Sequence, residues 1–192
     1  MITNHQRIQV QLAHADGLLD KAIAIRAGVS LTTVKRVRAE LGLDTHCVTA
    51  RRGRHGERVT AQTARSLGLK VEWRVHDGDR HDLLVSGQRL DVKTAMQQAD
   101  GTWRFRLPKV RPSFGGQYRY PKDYAADCEV IVLCCLYLDG RKPDLYLIGS
   151  TGLPSHIRII AGVNHLADRD RWSLLTAPVG PIPLRPALPL SA

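Results

Sequence analysis

The sequence predicts an α/β core preceded by a small all-α module. Residues 5 to 43 keep a helical spacing of apolar side chains, broken at Asp16-Gly17 and Gly28 and ended at Gly42. From residue 70 onward, short β-prone runs are cut by Asp77-Gly78, Ser86-Gly87 and Asp100-Gly101, pairs that suit tight hairpin turns. Between these regions Glu57 to Leu67 returns to a helical stripe, so a helix leads into the sheet. With 192 residues, 43% of them hydrophobic, the chain can bury one sizeable core and a second small one.

In chain order, the first element group is the module of residues 1 to 45. Ala24, Gly28 and Val34 stand four and then six residues apart. A small residue lets two helices approach, a glycine makes the turn, and a valine packs inside. Ser30 is a good N-cap for a second helix from Leu31 to Leu41. That helix presents Thr32, Thr33, Lys35, Arg36 and Arg38, with Val34, Val37 and Leu41 facing inward. The segment resembles the helix-turn-helix of many bacterial DNA-binding proteins, and the resemblance implies that its second helix enters the major groove. A plain helical hairpin with a solvated basic face is the other reading. Residues 46 to 55 contain Arg51, Arg52 and Arg54 without apolar periodicity, and are expected to be a basic linker. Such a linker either tracks phosphates or is a solvated hinge.

The core is expected over residues 56 to 177. Its helix places Glu57, Ala61, Ala64 and Leu67 on one stripe and turns Arg58, Gln62 and Arg65 away. Strands are expected at Lys70 to Val75, His81 to Val85, Arg89 to Lys93 and Trp103 to Leu107, as one small sheet. The apolar runs Glu129 to Leu138 and Asp144 to Ile148 extend it, and Tyr120 to Asp127 suits a short helix. The tail, residues 178 to 192, carries Pro181, Pro183, Pro186 and Pro189 and is expected to lie extended.

Charge narrows the partners. The net charge is +10, with a pI near 9.9, and arginine is the side chain best shaped for phosphate, so nucleic acid leads. No apolar run reaches the ~18 residues that span a bilayer, and no lipidation signal is present. Met1-Ile-Thr-Asn-His lacks the layout of a secretion signal, which makes a cytoplasmic location the expectation. Cys47, Cys128, Cys134 and Cys135 have no Cys-x-x-Cys spacing and read as reduced thiols, the adjacent pair within a buried strand.

The chemistry concentrates between residues 57 and 93. Asp91 and Lys93 share one strand face, because Leu90, Val92 and Thr94 occupy the other parity. Asp82, on the neighbouring strand, would bring a second carboxylate. Cutting a phosphodiester needs an activated water, charge neutralisation at phosphorus and a stabilised leaving oxygen, all of which a divalent metal can serve. Asp82 and Asp91, with the Val92 carbonyl, are hard oxygen donors suited to Mg²⁺, with Mn²⁺ as a substitute. Lys93 would orient the water or offset charge, and Glu57 would hold a metal-bound water. Arg104 and Arg106 alternate with Trp103 and Phe105 and could flank DNA, and basic and aromatic residues interleave from Lys109 to Tyr120.

Glu57 on a helix, then His81-Asp82, then Asp91-Val92-Lys93 on a hairpin resemble the PD-(D/E)xK nuclease superfamily over roughly residues 56 to 107. Within it the pattern is most similar to group I intron homing endonucleases of this type, and next to Holliday-junction resolvases. His81 stands where the name-giving proline would be, and Asp91 where Glu or Gln is commoner. The resemblance implies a restriction-endonuclease-like mixed sheet flanked by helices, and a Mg²⁺-dependent DNA endonuclease with catalytic Glu57, Asp82, Asp91 and Lys93. One such site cuts one strand, so paired cuts would need at least a homodimer. The competing class is a non-enzymatic DNA-binding regulator with a degenerate nuclease-like domain.

Overall fold

The structure, a computed structural model, describes residues 2–75, 79–112, 118–163 and 167–176. It divides into two units, Met1–His55 and Gly56–Ala192. The proline-rich tail, the Asp77-Gly78 turn and the centre of the Lys109 to Tyr120 stretch lie outside the described residues.

In the first unit, α1 (Asn4–Ala15), α2 (Asp20–Ala27) and α3 (Leu31–Glu40) pack around Val10, Ala13, Ile23, Ala27, Val34 and Val37. Gly28 ends α2 in the left-handed conformation at φ 60°, which lets α3 begin three residues later. The Ser30 hydroxyl accepts from Thr33 N at 3.1 Å, the expected N-cap. One residue of α3 departs from expectation. Arg38 does not face outward: it is buried, and its Nε and Nη2 donate to the two carboxylate oxygens of Asp20, each at 2.7 Å. Arg38 stands four residues after Val34 and so shares the inward stripe, where a fixed guanidinium fork meets one carboxylate.

The segment expected as a basic linker has regular structure. Residues 48 to 55 are helical and open α4 (Val48–Ser66), a single 19-residue helix that starts in the first unit and ends in the second. Its early turns are exposed and need no apolar stripe. Arg51 and Arg54 both pair with Asp44 there. Later in α4, Gly56, Thr60, Ala61 and Ala64 are buried, whereas Leu67 lies just past the end of the helix and is 53% exposed.

The second unit is built on β1 (Val71–Trp73), β2 (Leu83–Val85), β3 (Gln88–Met96), β4 (Thr102–Arg106), β5 (Val110–Pro112), β6 (Arg119–Pro121), α5 (Tyr124–Asp127), β7 (Val130–Leu136), β8 (Asp144–Gly149), β9 (His156–Ile160) and β10 (Asp168–Arg169). A six-stranded mixed sheet runs in the order β1-β2-β3-β7-β8-β10, parallel at β3 and β7 and antiparallel elsewhere. This is the mixed α/β core expected from the sequence. β4 does not join that sheet; it pairs with β9 in a separate ribbon, and β5 pairs with β6 in another. The β2–β3 hairpin turns through Ser86 and Gly87, at φ 49° and 84°, the two positive values that a two-residue turn with the twist of the strands requires.

β7 is buried on both faces, as the inner strand of a covered sheet should be. Its even-numbered residues from Val130 to Leu136 meet Leu90, Val92, Ala61 and Ala64 in one core. Its odd-numbered residues from Ile131 to Cys135 meet Trp103, Phe105, Tyr124 and Ile159 in the other. Thus α4 covers one face, and β4, β9 and α5 cover the opposite one. The described cysteines are free thiols, and no described helix is long and apolar enough to cross a membrane.

A polar clamp fixes where β3 and β7 start. Arg89 Nη2 donates to Glu129 Oε1 at 2.5 Å, Arg89 N donates to Oε2 at 2.6 Å, and Arg89 Nη1 donates to the Ala126 carbonyl at 3.0 Å. Burial alone would raise the Glu129 carboxyl, but the Arg89 guanidinium and amide together hold it below its ordinary value. Arg89→Ala is therefore expected to cost about 1–2 kcal/mol at neutral pH, a figure that allows for partial solvent screening. A carboxyl lowered on folding stabilises above its unfolded pKa and ceases to do so as pH falls through its folded one. Denaturant melts of the two chains should converge under acid, below the usual glutamate range.

Candidate active site

The β2–β3 ladder ends beside the candidate carboxylates. Its last paired residues are Leu83 and Leu90, so Asp82 and Asp91 stand opposite one another one step further on. Asp82 N still donates to the Leu90 carbonyl at 2.8 Å. The next amide of β3, Val92 N, has no strand beside it on that edge and donates to Asp82 Oδ2 at 2.8 Å instead. A carboxylate thus completes the ladder. Asp82 Oδ1 accepts from Arg74 Nη1 at 2.7 Å, from a side chain just past β1. Burial and the charge of Asp91 push the Asp82 carboxyl up, against Val92 N–H, Lys93 and Arg74, which pull it down.

Asp91 is 2% exposed and projects to the face opposite α4, in register with Ile131. Two ammonium groups hold it. Lys93 Nζ donates to Oδ1 and Lys122 Nζ donates to Oδ2. Both lysines lie over the ring of Tyr124, at 5.6 and 4.7 Å from its centroid. The Tyr124 phenol oxygen is buried and makes no hydrogen bond among the described residues; burial and the nearby Asp91 push its pKa up. Cys128, beneath Tyr124, is pushed up to about 12 by burial and by Asp91, so its thiol keeps its proton.

Glu57 reaches the pair indirectly. Gly56 sits against the Thr94 side chain, so that α4 lies tight on β3. Glu57 Oε1 then lies 4.0 Å from Arg74 Nη2, and Arg74 binds Asp82. Among the described residues no three His, Cys, Asp or Glu side chains gather as a metal site.

The DNA-facing candidates are spread over separate elements. On α3, Thr32, Lys35 and Arg36 are exposed and Thr33 is half-buried, with its hydroxyl 2.9 Å from Ser30 Oγ. Arg51 and Arg52 are exposed on α4, and Arg54 is half-buried against Asp44. Arg104 and Arg106 lie exposed on β4, facing Arg158 and His156 across the ribbon. Asp100 offsets part of that charge, pairing with Arg104 at 2.7 Å and Arg158 at 3.4 Å. Hydrogen bonds from Thr102 and Arg104 hold its carboxyl down at about 2.

Sequence reasoning missed Arg74, Lys122 and Tyr124. Arg74 lay inside a strand candidate with no partner in view, and Lys122 stands 31 residues beyond Asp91, with no local pattern to link them.

No family model matches the chain, and no curated protein does. Among solved structures it is similar to a bacterial homing endonuclease, I-Ssp6803I, with a TM-score of 0.52 at 16% sequence identity, covering 67% of this chain and 93% of that one. At that identity the likeness is one of fold.

Proposed function

We propose that the chain is a Mg²⁺-dependent DNA endonuclease of the PD-(D/E)xK kind, with α2 and α3 as a DNA-reading helix-turn-helix. The observation that carries this reading is the placing of Asp82 opposite Asp91 at the open end of a hairpin, with Lys93 on the same face. A fold like that of a homing endonuclease supports it.

The residues fit a divalent cation. Partial burial, and after it the charge of Asp91, raises Asp82, and hard oxygens from Asp82, Asp91 and the Val92 carbonyl would hold Mg²⁺ or Mn²⁺, with water as the remaining ligands. Bound there, the cation supplies an acidic water and neutralises charge at the phosphate. Lys93 orients that water and offsets charge on the phosphoryl oxygens. Glu57 accepts a proton of a water one layer out, with Arg74 fixing its distance from Asp82. Thr32, Thr33, Lys35 and Arg36 meet the DNA, and the basic turns of α4 and the β4–β9 ribbon bear on its phosphates. A homodimer with twofold symmetry would make paired cuts.

The test is cleavage of linear, nicked, branched and single-stranded DNA with Mg²⁺, beside calorimetry of Mg²⁺ and Mn²⁺ binding. Metal binding that Asp82→Ala abolishes, together with cleavage of at least one DNA form, is the expected result. Intact DNA in every form and no heat of metal binding would return the chain to the class of DNA-binding regulators.

A further inference from the structure

Lys122 stands outside the pattern that defines the proposed catalytic set, yet it occupies the second oxygen of the central carboxylate. Asp91 is 2% exposed and a buried carboxylate needs a counter-charge. Lys93, two residues along the same strand, already provides one at Oδ1. Lys122 adds a second at Oδ2, with its side chain 13% exposed. A carboxylate oxygen held by an ammonium is poorly placed to bind a divalent cation as well, because the two positive charges would crowd one acceptor. Oδ2 is therefore an oxygen that Lys122 must release when a metal ion is held between Asp82 and Asp91.

The surroundings give Lys122 somewhere to go. It follows β6 directly, and its amide donates to the Lys109 carbonyl at 2.8 Å, so its backbone is fixed while its four-carbon stem can swing. It also lines a cleft of about 310 Å³ with Lys109, Tyr124, Ser150, Gly152 and Ser155. That cleft offers two ammonium groups and the Ser155 hydroxyl, donors that suit a phosphate oxygen, beside one carboxylate, Asp123, which accepts from Ala126 N at 3.3 Å, while the Ser150 hydroxyl is spent on the Cys128 carbonyl. The Tyr124 ring lies 4.7 Å from the Lys122 nitrogen, and its buried phenol oxygen has no partner among the described residues. A polar atom left unpaired in this way is costly unless a ligand or water completes it.

We infer that Lys122 is an exchanging cation. It neutralises Asp91 while the metal position is unfilled, and it moves to a backbone phosphate of DNA in the adjoining cleft once a divalent ion is bound by Asp82 and Asp91. Lys122 thereby couples metal loading to DNA binding, because the phosphate receives its ammonium only after Asp91 has released it. This rests on the nuclease reading above and deepens it.

The experiment is Mn²⁺ binding by calorimetry, without DNA, on the full chain, on Lys122→Met and on Asp91→Asn. Lys122→Met should bind Mn²⁺ about tenfold more tightly than wild type, because the competing ammonium is gone. At saturating Mn²⁺ it should cleave DNA at least about tenfold more slowly, and Lys122→Arg should restore most of that rate. A purely structural lysine would leave Mn²⁺ affinity unchanged or weaken it, and either outcome in a folded Lys122→Met overturns the exchange. Should Lys122→Met fail to fold, Lys122→Gln, which keeps a donor to Asp91 without the charge, carries the same expectation. If Asp91→Asn abolishes Mn²⁺ binding and wild type cleaves, yet the Lys122 variants bind no tighter, the exchange alone falls. If wild type binds no Mn²⁺, the exchange and the nuclease reading fall together.

Discussion

Asp91→Asn is expected to lower DNA cleavage by more than about a hundredfold, beyond what loss of an outer-layer partner typically costs a metal site. Asparagine keeps the volume and one acceptor of the aspartate but removes the charge that Lys93 and Lys122 both address. Stability should fall by roughly 1–3 kcal/mol, since two ammonium groups lose their counter-ion. The loss stays in this range because both side chains retain some exposure and lysines can turn their heads to water. Cleavage of duplex DNA with Mg²⁺ and a thermal melt on the same sample separate the two effects. A folded Asp91→Asn that cuts within tenfold of wild type would remove Asp91 from the reaction.

Gly56→Ala should destabilise the second unit by about 1–3 kcal/mol, the usual penalty for forcing an extra carbon into a packed interface. A Cβ there would collide with the Thr94 hydroxyl and lie 3.1 Å from the Thr94 Cβ. The strand cannot retreat cheaply, because β3 is paired with β7 over its length from Leu90 to Met96. Thr94 Oγ1 makes no hydrogen bond among the described residues, so Thr94→Ala loses no bond and should be close to neutral alone. Combined, the two changes should recover much of the loss, giving a favourable coupling in a double-mutant cycle read by denaturant melts. Additive losses would show that α4 does not meet β3 at this point. Because Glu57 is the next residue, cleavage by Gly56→Ala should also fall, even at temperatures where the chain remains folded.

Local chemistry was legible where the determinants are adjacent in sequence. Ser30 caps α3, Ser86-Gly87 turns the hairpin, and alternation around Asp91 and Lys93 places both on one face. Partnership between distant segments was not. β4 has strand chemistry, but nothing in Trp103 to Leu107 says that its partner is β9 rather than β3. β9 itself escaped notice because His156 to Ile160 lies among Gly149, Gly152, Pro154 and Gly162, which read as loop. Helix α4 begins earlier than its apolar stripe because exposed turns need no stripe, only residues that tolerate a helix. The same limit divided the site. Asp82, Asp91 and Lys93 could be paired by strand geometry, whereas Arg74 and Lys122 reach them only through the folded topology.

Asp82 also has an obligation that precedes any chemistry, since its carboxylate is the rung that ends the β2–β3 ladder by accepting from Val92 N. A chain of this fold without hydrolytic activity would still be under selection to keep an acceptor there, as Asp or Asn, or let the sheet fray. Asp91 carries no such backbone duty, and losing it alone strands the ammonium groups of both Lys93 and Lys122, so drift would remove the three together. In any lineage sharing this fold, an intact Asp82 is therefore weak testimony to activity. The joint fate of Asp91 and its two lysines is the record to read.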